Sequence, residues 1–195
     1  MATTLEKLEE LIYHGFKETA ELQKETARRF QETDQLFKDL KKQMSGLTKS
    51  LGLFAESTVH PSVTELFRQR GLHLSDIASR LRAQRNGSMM EIDVLGAGPE
   101  VVVAIEVKLR LEVSDVKDFL KQLLHFFEFF PRYRGLKLYG AVAGMSIDKD
   151  VPRFAYNQGL FVLAPSGENM QILNDARFVP RAFSEAGKKA TQRKK

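Results

Sequence analysis

The chain has 195 residues, of which 28% are charged, a formal net charge of +5 and no cysteine. This length accommodates one well-buried domain and an appendage, since a domain takes about 150 residues. The composition excludes a disulfide framework, a thiolate metal site and a cysteine nucleophile, and the excess positive charge is concentrated in residues 188–195, KKATQRKK, so it does not predict an acidic partner for the rest of the chain.

The N-terminus, MATTLEKLEE, carries charges every few residues and lacks the continuous apolar core of a secretion signal. No stretch of the sequence approaches the roughly 18 uninterrupted apolar residues that would predict a membrane-spanning helix. We therefore expect a soluble protein of the cytoplasm that has no membrane partner.

Residues 5 to about 51 contain no proline and only two glycines, which is typical of a long exposed helix. One set of residues recurs along this helix at alternating spacings of four and three for nearly six heptads. This is the pattern of a coiled-coil seam, the narrow stripe that packs against a partner helix. The seam residues are Ile12, Phe16, Thr19, Gln23, Thr26, Phe30, Thr33, Phe37, Leu40, Met44, Leu47 and Leu51. We expect residues 1–50 to form a coiled-coil helix that assembles a homo-oligomer of open order; a single amphipathic helix packed on the domain is the alternative.

Residues 51–183 predict one α/β domain. The helical pattern continues through Glu56, pauses at His60 and Pro61, and stops at Gly71. Three strands then follow as an antiparallel meander, because an Asn-Gly dipeptide predicts a hairpin after the first and a Gly- and Pro-containing turn follows the second. They are expected at residues 77–85, about 89–96 and 101–108.

Helices and strands alternate in the second half of the domain. Ser114 is expected to cap a phenylalanine-rich helix that Pro131 ends. A strand at about 136–143, a helix at about 149–158 and a strand at 160–164 predict a βαβ crossover, and a last short strand is expected at 170–173. Residues 184–195 are expected to form a basic disordered tail.

Charged residues interrupt two otherwise apolar strands in the stretch EIDVLGAGPEVVVAIEVK. Strand alternation predicts that Glu91, Asp93 and Leu95 share one face of their strand, and that Glu106 and Lys108 share one face of the next. With the obvious register around the intervening turn, Asp93 and Glu106 should lie close together. Because burial of an unpaired charge is costly, this arrangement predicts a function.

Two carboxylates that lie so close repel each other unless a proton or a cation separates them. Hard oxygen ligands in a chain without cysteine predict Mg²⁺ or Mn²⁺, held by Asp93 and Glu106 and completed by waters and the carbonyl of Val107. The ammonium of Lys108 would lower the pKa of an attacking water and offset charge on a phosphorane-like transition state. The constellation therefore predicts metal-assisted hydrolysis of a phosphodiester.

An Asp in one strand, followed thirteen residues later by Glu-x-Lys in the next, resembles the core of the PD-(D/E)xK nuclease superfamily, whose fold is restriction-endonuclease-like. Residues 46–183 also resemble an uncharacterised prokaryotic branch that pairs this domain with an N-terminal coiled coil. The resemblance implies a mixed sheet flanked by helices in the order α-β-β-β-α-β, a Mg²⁺ cofactor and a nucleic-acid substrate, with DNA favoured. One departure is Ile92, which stands where many members have proline.

The same resemblance implies roles for two further residues. Glu56, in the helix before the sheet, would be a third metal-site carboxylate that orients a water or a second ion. Gln122, in the helix after the Glu-x-Lys strand, corresponds to a site glutamine seen in RecB-like branches. Arg80 and Arg82, which are expected to point the same way from a neighbouring strand, are candidates for contacting nucleic-acid phosphates.

Less specific interpretations of these residues stay open. Asp93, Glu106 and Lys108 could form a structural salt bridge at a sheet edge. Four of the other candidates could be solvated surface residues: Glu56, Gln122, Arg80 and Arg82. The whole domain could be a catalytically inactive scaffold or a nucleic-acid-binding module that its coiled coil assembles.

Overall fold

The computed structural model describes residues 3–167 and 169–183. The chain divides into two compact units, of which the first ends at Lys49 and the second begins at Ser50. The predicted basic tail, residues 184–195, lies outside the described residues. Within the described part of the chain, no helix combines the length and the apolarity that crossing a bilayer requires.

A long helix, α1, extends from Thr4 to Val59 and confirms the helix predicted from composition. Thr3 and Glu6 cap its N-terminus reciprocally: the Thr3 N–H donates to Glu6 Oε2 at 2.7 Å, and the Glu6 N–H donates to Thr3 Oγ1 at 3.4 Å. Ion pairs between residues four apart, such as Arg29 with Glu25 at 2.6 Å, stabilise the helix by about 0.3 to 0.5 kcal/mol each.

A mixed sheet forms the second unit, and its six strands in the described residues lie in chain order. The strands are β1 (Asp76–Arg85), β2 (Ser88–Ala97), β3 (Val101–Leu111), β4 (Lys137–Ile147), β5 (Phe161–Ser166) and β6 (Asn169–Ile172). β1, β2 and β3 form the predicted antiparallel meander, β3 with β4 and β4 with β5 pair in parallel, and β5 with β6 pairs antiparallel.

Three further helices complete the second unit as described: α2 (Val63–Arg68), α3 (Val113–Phe129) and α4 (Val151–Asn157). The predicted pause after α1 is a short 3-10 turn over His60–Ser62. The predicted α/β fold class is therefore confirmed. A mixed sheet is flanked by helices, its core elements follow the order α-β-β-β-α-β, and a long helix precedes them.

The prediction that Ser114 caps α3 is wrong. The N-cap residue is Glu112, whose carboxylate accepts the Asp115 N–H while Asp115 Oδ2 accepts the Glu112 N–H at 2.8 Å. Two carboxylates three residues apart satisfy two otherwise unpaired N–H groups at once, and both place negative charge at the positive end of the helix dipole. This reciprocal pair outcompetes a single serine hydroxyl.

Two hydrophobic clusters cover the sheet. The first joins α3 and α4 to sheet residues such as Ile92 and Leu95. The second joins the last turns of α1 and the apolar side of α2 to sheet residues such as Val94 and Ile105. With helices on both faces, the central strands bury both sets of side chains, which explains why β3 reads as a nearly continuous apolar run.

Gly98 is required by the close approach of two backbone segments. A Cβ atom at this position would lie 1.9 Å from the carbonyl oxygen of His73, a contact that only a backbone shift can relieve. We expect Gly98→Ala to lower the free energy of unfolding by about 1 to 3 kcal/mol, the usual cost of overpacking, in urea denaturation followed by circular dichroism.

Gly52→Ala is the matched control. Gly52 lies in α1, and a Cβ atom at this position would meet nothing within 4 Å. It should leave stability unchanged or raise it by up to about 1 kcal/mol, since alanine favours helix over glycine. Equal effects of the two substitutions would contradict the packing explanation.

Candidate active site

The sheet forks at the predicted site. β2 pairs with β3 only as far as Val94 opposite Ile105; beyond that pair β2 stays with β1 to its first residue, and β3 stays with β4 to its last. Asp93 and Glu106 are the next residue of each strand. The two carboxylates therefore lie where the two halves of the sheet separate.

A side chain takes over the hydrogen bond at the fork. In an antiparallel ladder, hydrogen-bonded pairs recur every second residue. If β2 and β3 had stayed paired beyond Val94 and Ile105, the N–H of Val107 would therefore have donated to the backbone of Ile92. Instead the Val107 N–H donates to Asp93 Oδ2 at 2.8 Å. Asp93 thereby satisfies a backbone donor, and its carboxylate is held against β3.

The alternation of side chains breaks at this point, and the predicted common face of Glu91, Asp93 and Leu95 is wrong. Ile92 lies in the same hydrophobic cluster as Leu95, although strict alternation would place them on opposite faces, and Val94 lies in the other cluster. Glu91, next to Ile92, therefore points away from the face of Leu95.

The backbone of the neighbouring strand β1 is irregular at the same level. Its residue between the pairs Ser79 with Val94 and Leu81 with Ile92 is Arg80, which has φ +53°. This left-handed conformation costs a residue with a Cβ about 1 to 2 kcal/mol, and a strand that contains it exchanges its two faces. A rule of strict alternation cannot predict such an exchange.

Glu106 and Lys108 form a close ion pair between Oε1 and Nζ. Glu106 is one of the two buried polar or charged residues among those described, with 8% of its surface exposed, and Lys108 is half-buried. Burial by itself would lower the pKa of Lys108, but its hydrogen bond with Glu106 and the charge of Asp93 raise it. Lys108 is therefore an ammonium at neutral pH.

The three predicted carboxylates share one electrostatic environment. Burial is the largest cause that raises the pKa of Asp93, Glu106 and Glu56, and the negative charge of Asp93 raises the pKa of the other two further. Glu56, near the end of α1, is partly buried, and its Oε2 lies 3.9 Å from Arg80 Nε. In the side-chain positions of the described residues, no three carboxylate or histidine groups already form a metal cage.

Gln122 lies on α3, two turns after Asp115 on the same side of the helix. The charge of Asp115 acts on Glu106 and Lys108, so this side of α3 is near the site. Gln122 Oε1 is buried and is the one such side-chain atom without a hydrogen-bond partner in the described residues. The predicted direct role of Gln122 at the carboxylates stays a prediction.

Glu91 is a charged residue at the fork for which the sequence pattern predicts no role of its own. Its Oε1 accepts from Arg80 Nε at 3.1 Å, and its Oε2 accepts from Arg82 Nε at 2.7 Å. The hydrogen bond from Arg82 holds the pKa of Glu91 below its ordinary range. The Asn86-Gly87 turn contained the missed signal, because a two-residue hairpin there places Arg82 opposite Glu91.

Comparisons with known proteins yield likeness in structure alone. No protein-family model and no curated protein matches the chain. A crystal structure of the protein of unknown function AF1548 is similar at 17% identity over 55% of this chain and 58% of that chain, with a TM-score of 0.32. The small subunit of the heterodimeric restriction endonuclease R.BspD6I is similar at 16% identity over 53% of this chain and 63% of that chain, with a TM-score of 0.31. The match thus spans less than two thirds of each of these chains.

Asp93→Asn tests the electrostatics of the fork. Because its pKa is raised by folding, the native chain keeps a proton on Asp93 to higher pH than the unfolded chain, so this group stabilises the fold at low pH and the stabilisation is lost as pH rises. An amide still accepts the Val107 N–H but carries no charge. We expect the variant to be more stable than wild type at pH 7 in EDTA, with the difference vanishing below about pH 4.

Urea denaturation at several pH values measures this difference. Asp118→Asn is the control, because Asp118 is exposed and its pKa is lowered by the hydrogen bond from Lys121, so this variant should not gain stability at neutral pH. An Asp93→Asn protein that is less stable than wild type at pH 7, with the difference vanishing at low pH, would show that attraction to Lys108 and Arg80 outweighs burial.

Proposed function

We propose that this chain is a divalent-metal-dependent nuclease that hydrolyses phosphodiester bonds of nucleic acid, with DNA as its substrate. The observation that carries the proposal is the fork in the sheet. There, a carboxylate fixed by a backbone N–H, a buried glutamate and an ammonium lie on adjacent strands. A structural salt bridge at an exposed edge explains this less well, because β2 and β3 are interior strands of the sheet.

The donor set suits Mg²⁺ or Mn²⁺. Asp93 and Glu106 would hold the ion and Glu56 would be the third carboxylate, all of them hard oxygen ligands. The raised pKa of each shows that their negative charges are poorly compensated, which a divalent cation would correct. A bound ion would polarise the phosphate and acidify a water molecule.

Lys108 contributes a fixed positive charge in this proposal. Because it is already protonated and paired with Glu106, it can stabilise negative charge that develops on a phosphate oxygen but cannot accept a proton. Glu56 would orient a water, and Gln122 would supply an amide to the same side of the site. Arg80 and Arg82 would contact substrate phosphates.

We also propose that α1 assembles the chain into a homo-oligomer. The part of α1 that lies in the first unit of the chain exposes its apolar seam residues. More than half of the surface is accessible in each of Phe16, Phe30, Phe37 and Met44. A coiled coil would bury them against the same residues of another copy. Two or more sites brought together in this way could make paired cuts in duplex DNA.

Cleavage assays test the catalytic proposal. With Mg²⁺ or Mn²⁺, plasmid, single-stranded DNA and RNA are incubated with wild type, Asp93→Ala and Lys108→Ala. Loss of a metal ligand or of a fixed charge at the phosphate should lower the rate about 100-fold or more. The controls are Asp118→Ala and Lys121→Ala, which remove the same residue types from an exposed ion pair on α3. Their cleavage rates should stay within about twofold of the wild-type rate. Equal activity of all five proteins would refute the proposal.

Metal binding separates an active nuclease from an inactive scaffold. Calorimetric titration with Mn²⁺ should detect a site in wild type that Asp93→Asn and Glu106→Gln abolish. Wild type should also gain about 2.7 kcal/mol of stability at a Mn²⁺ concentration 100 times the Kd. Absence of this site in an intact oligomer would favour the scaffold or nucleic-acid-binding module.

Phe37→Glu tests the oligomer, because it places a charge in the proposed seam. We expect light scattering after size exclusion to show a lower mass for this variant than for wild type. Gln35→Glu adds the same charge on the opposite side of α1, where the side chain is exposed, and should leave the mass unchanged. A monomeric wild type would overturn the oligomer proposal.

A further inference from the structure

Glu91 joins the side chains of two arginines beside the carboxylates. Each of its oxygens accepts one N–H, from Arg80 Nε at 3.1 Å and from Arg82 Nε at 2.7 Å. We propose that Glu91 is a positioning residue, and that Arg80, Glu91 and Arg82 form a phosphate clamp for the backbone of the nucleic acid. The inference rests on the proposed function and deepens it, since it assigns the residues that hold the substrate.

The hydrogen bonds leave the phosphate-binding ends of both guanidinium groups available. A guanidinium has five N–H donors, and each arginine donates to Glu91 through Nε. Within residues 3–167 and 169–183, the terminal nitrogens of Arg80 and Arg82 make no hydrogen bond to the protein. These paired terminal N–H groups match the spacing of phosphate oxygens.

Arg82 carries the charge that an anion can reach. Arg80 is shared between Glu91 and Glu56, at 3.9 Å, whereas Arg82 is paired with Glu91 alone and has 54% of its side chain accessible. An arginine that is already held loses less conformational freedom when it binds phosphate than a mobile one. Glu91 therefore contributes to binding although its own charge repels the ligand.

The backbone of Arg80 supports the same assignment. Its φ of +53° is costly for a residue with a Cβ, and the side chain so directed lies between Glu56, at 3.9 Å, and Glu91. Residues with a strained backbone are found most often at functional sites. Arg80 and Asp93 lie in the same gap of the β1 and β2 register, between the pairs Ser79 with Val94 and Leu81 with Ile92, and the charge of Arg80 acts on Asp93, so the clamp lies beside the candidate metal ligands.

Glu91→Gln provides a test with a distinctive sign. Removal of a negative charge from a surface that binds DNA only by net charge should strengthen binding, whereas loss of the clamp should weaken it. Fluorescence anisotropy of the full chain with a labelled 30-base-pair duplex in EDTA excludes cleavage. We expect the Kd to rise at least fivefold, and the slope of log K against log salt to fall by about 1 to 2, as phosphate contacts are lost.

Glu128→Gln is the charge control, because Glu128 is an exposed glutamate on α3 that contacts His125. It should bind duplex as tightly as wild type or more tightly, with an unchanged salt slope. If Glu91→Gln behaves in the same way as this control, the clamp is refuted.

Arg80→Gly and Arg82→Ala keep the test decisive should Glu91→Gln fold poorly. Arg80→Gly removes the guanidinium and the unfavourable φ together, so we expect weaker duplex binding without a lower midpoint of thermal unfolding. Arg82→Ala should also weaken binding. Wild-type affinity in either variant, or no duplex binding by wild type, would overturn the clamp.

The outcome is independent of turnover. A chain that binds duplex through the clamp but fails to cleave it with Mg²⁺ would refute the nuclease and retain the clamp. A chain that cleaves DNA while Glu91→Gln binds as wild type does would refute the clamp and retain the nuclease.

Discussion

One hydrogen bond organises the site: the Val107 N–H to the Asp93 carboxylate. A sheet normally satisfies such a donor with a backbone carbonyl, and an unmade bond there would cost about 1 to 3 kcal/mol. By supplying the acceptor from a side chain, Asp93 lets two interior strands separate without an unsatisfied group. The separation provides room for charged side chains in the middle of a sheet covered on both faces, and it fixes one of those charges against β3.

The charges at this fork are unfavourable for the fold, and a cation bound as we propose would compensate them. Burial raises the pKa of Asp93, Glu106 and Glu56, so each carboxylate is less stable ionised in the folded chain than in water. Lys108 and Arg80 compensate only in part. A protein that kept these groups for stability alone would gain from replacing them, which is why uncompensated charge in a packed sheet indicates a site.

Much of this arrangement is predictable from sequence because it depends on local patterns. The long helix follows from composition, the meander from the Asn-Gly turn, and the proximity of Asp93 to Glu106 from the hairpin register. What could not be predicted depends on one backbone angle and on competition between caps. The irregular backbone at Arg80 hid the contact of Glu91 with Arg80, and Glu112 replaces Ser114 as the cap of α3.

The strands of the sheet are arranged in chain order, and this has a consequence for how the molecule forms. Apart from Glu56 and Gln122, every residue of the candidate site lies between Arg80 and Lys108, within the meander. Short-range contacts form fastest during folding, and chains are synthesised from the N-terminus. The proposed clamp, which β1 and β2 carry between them, can therefore form before β4 has emerged from the ribosome, whereas Glu106 and Lys108 are fixed only when β4 pairs with their part of β3.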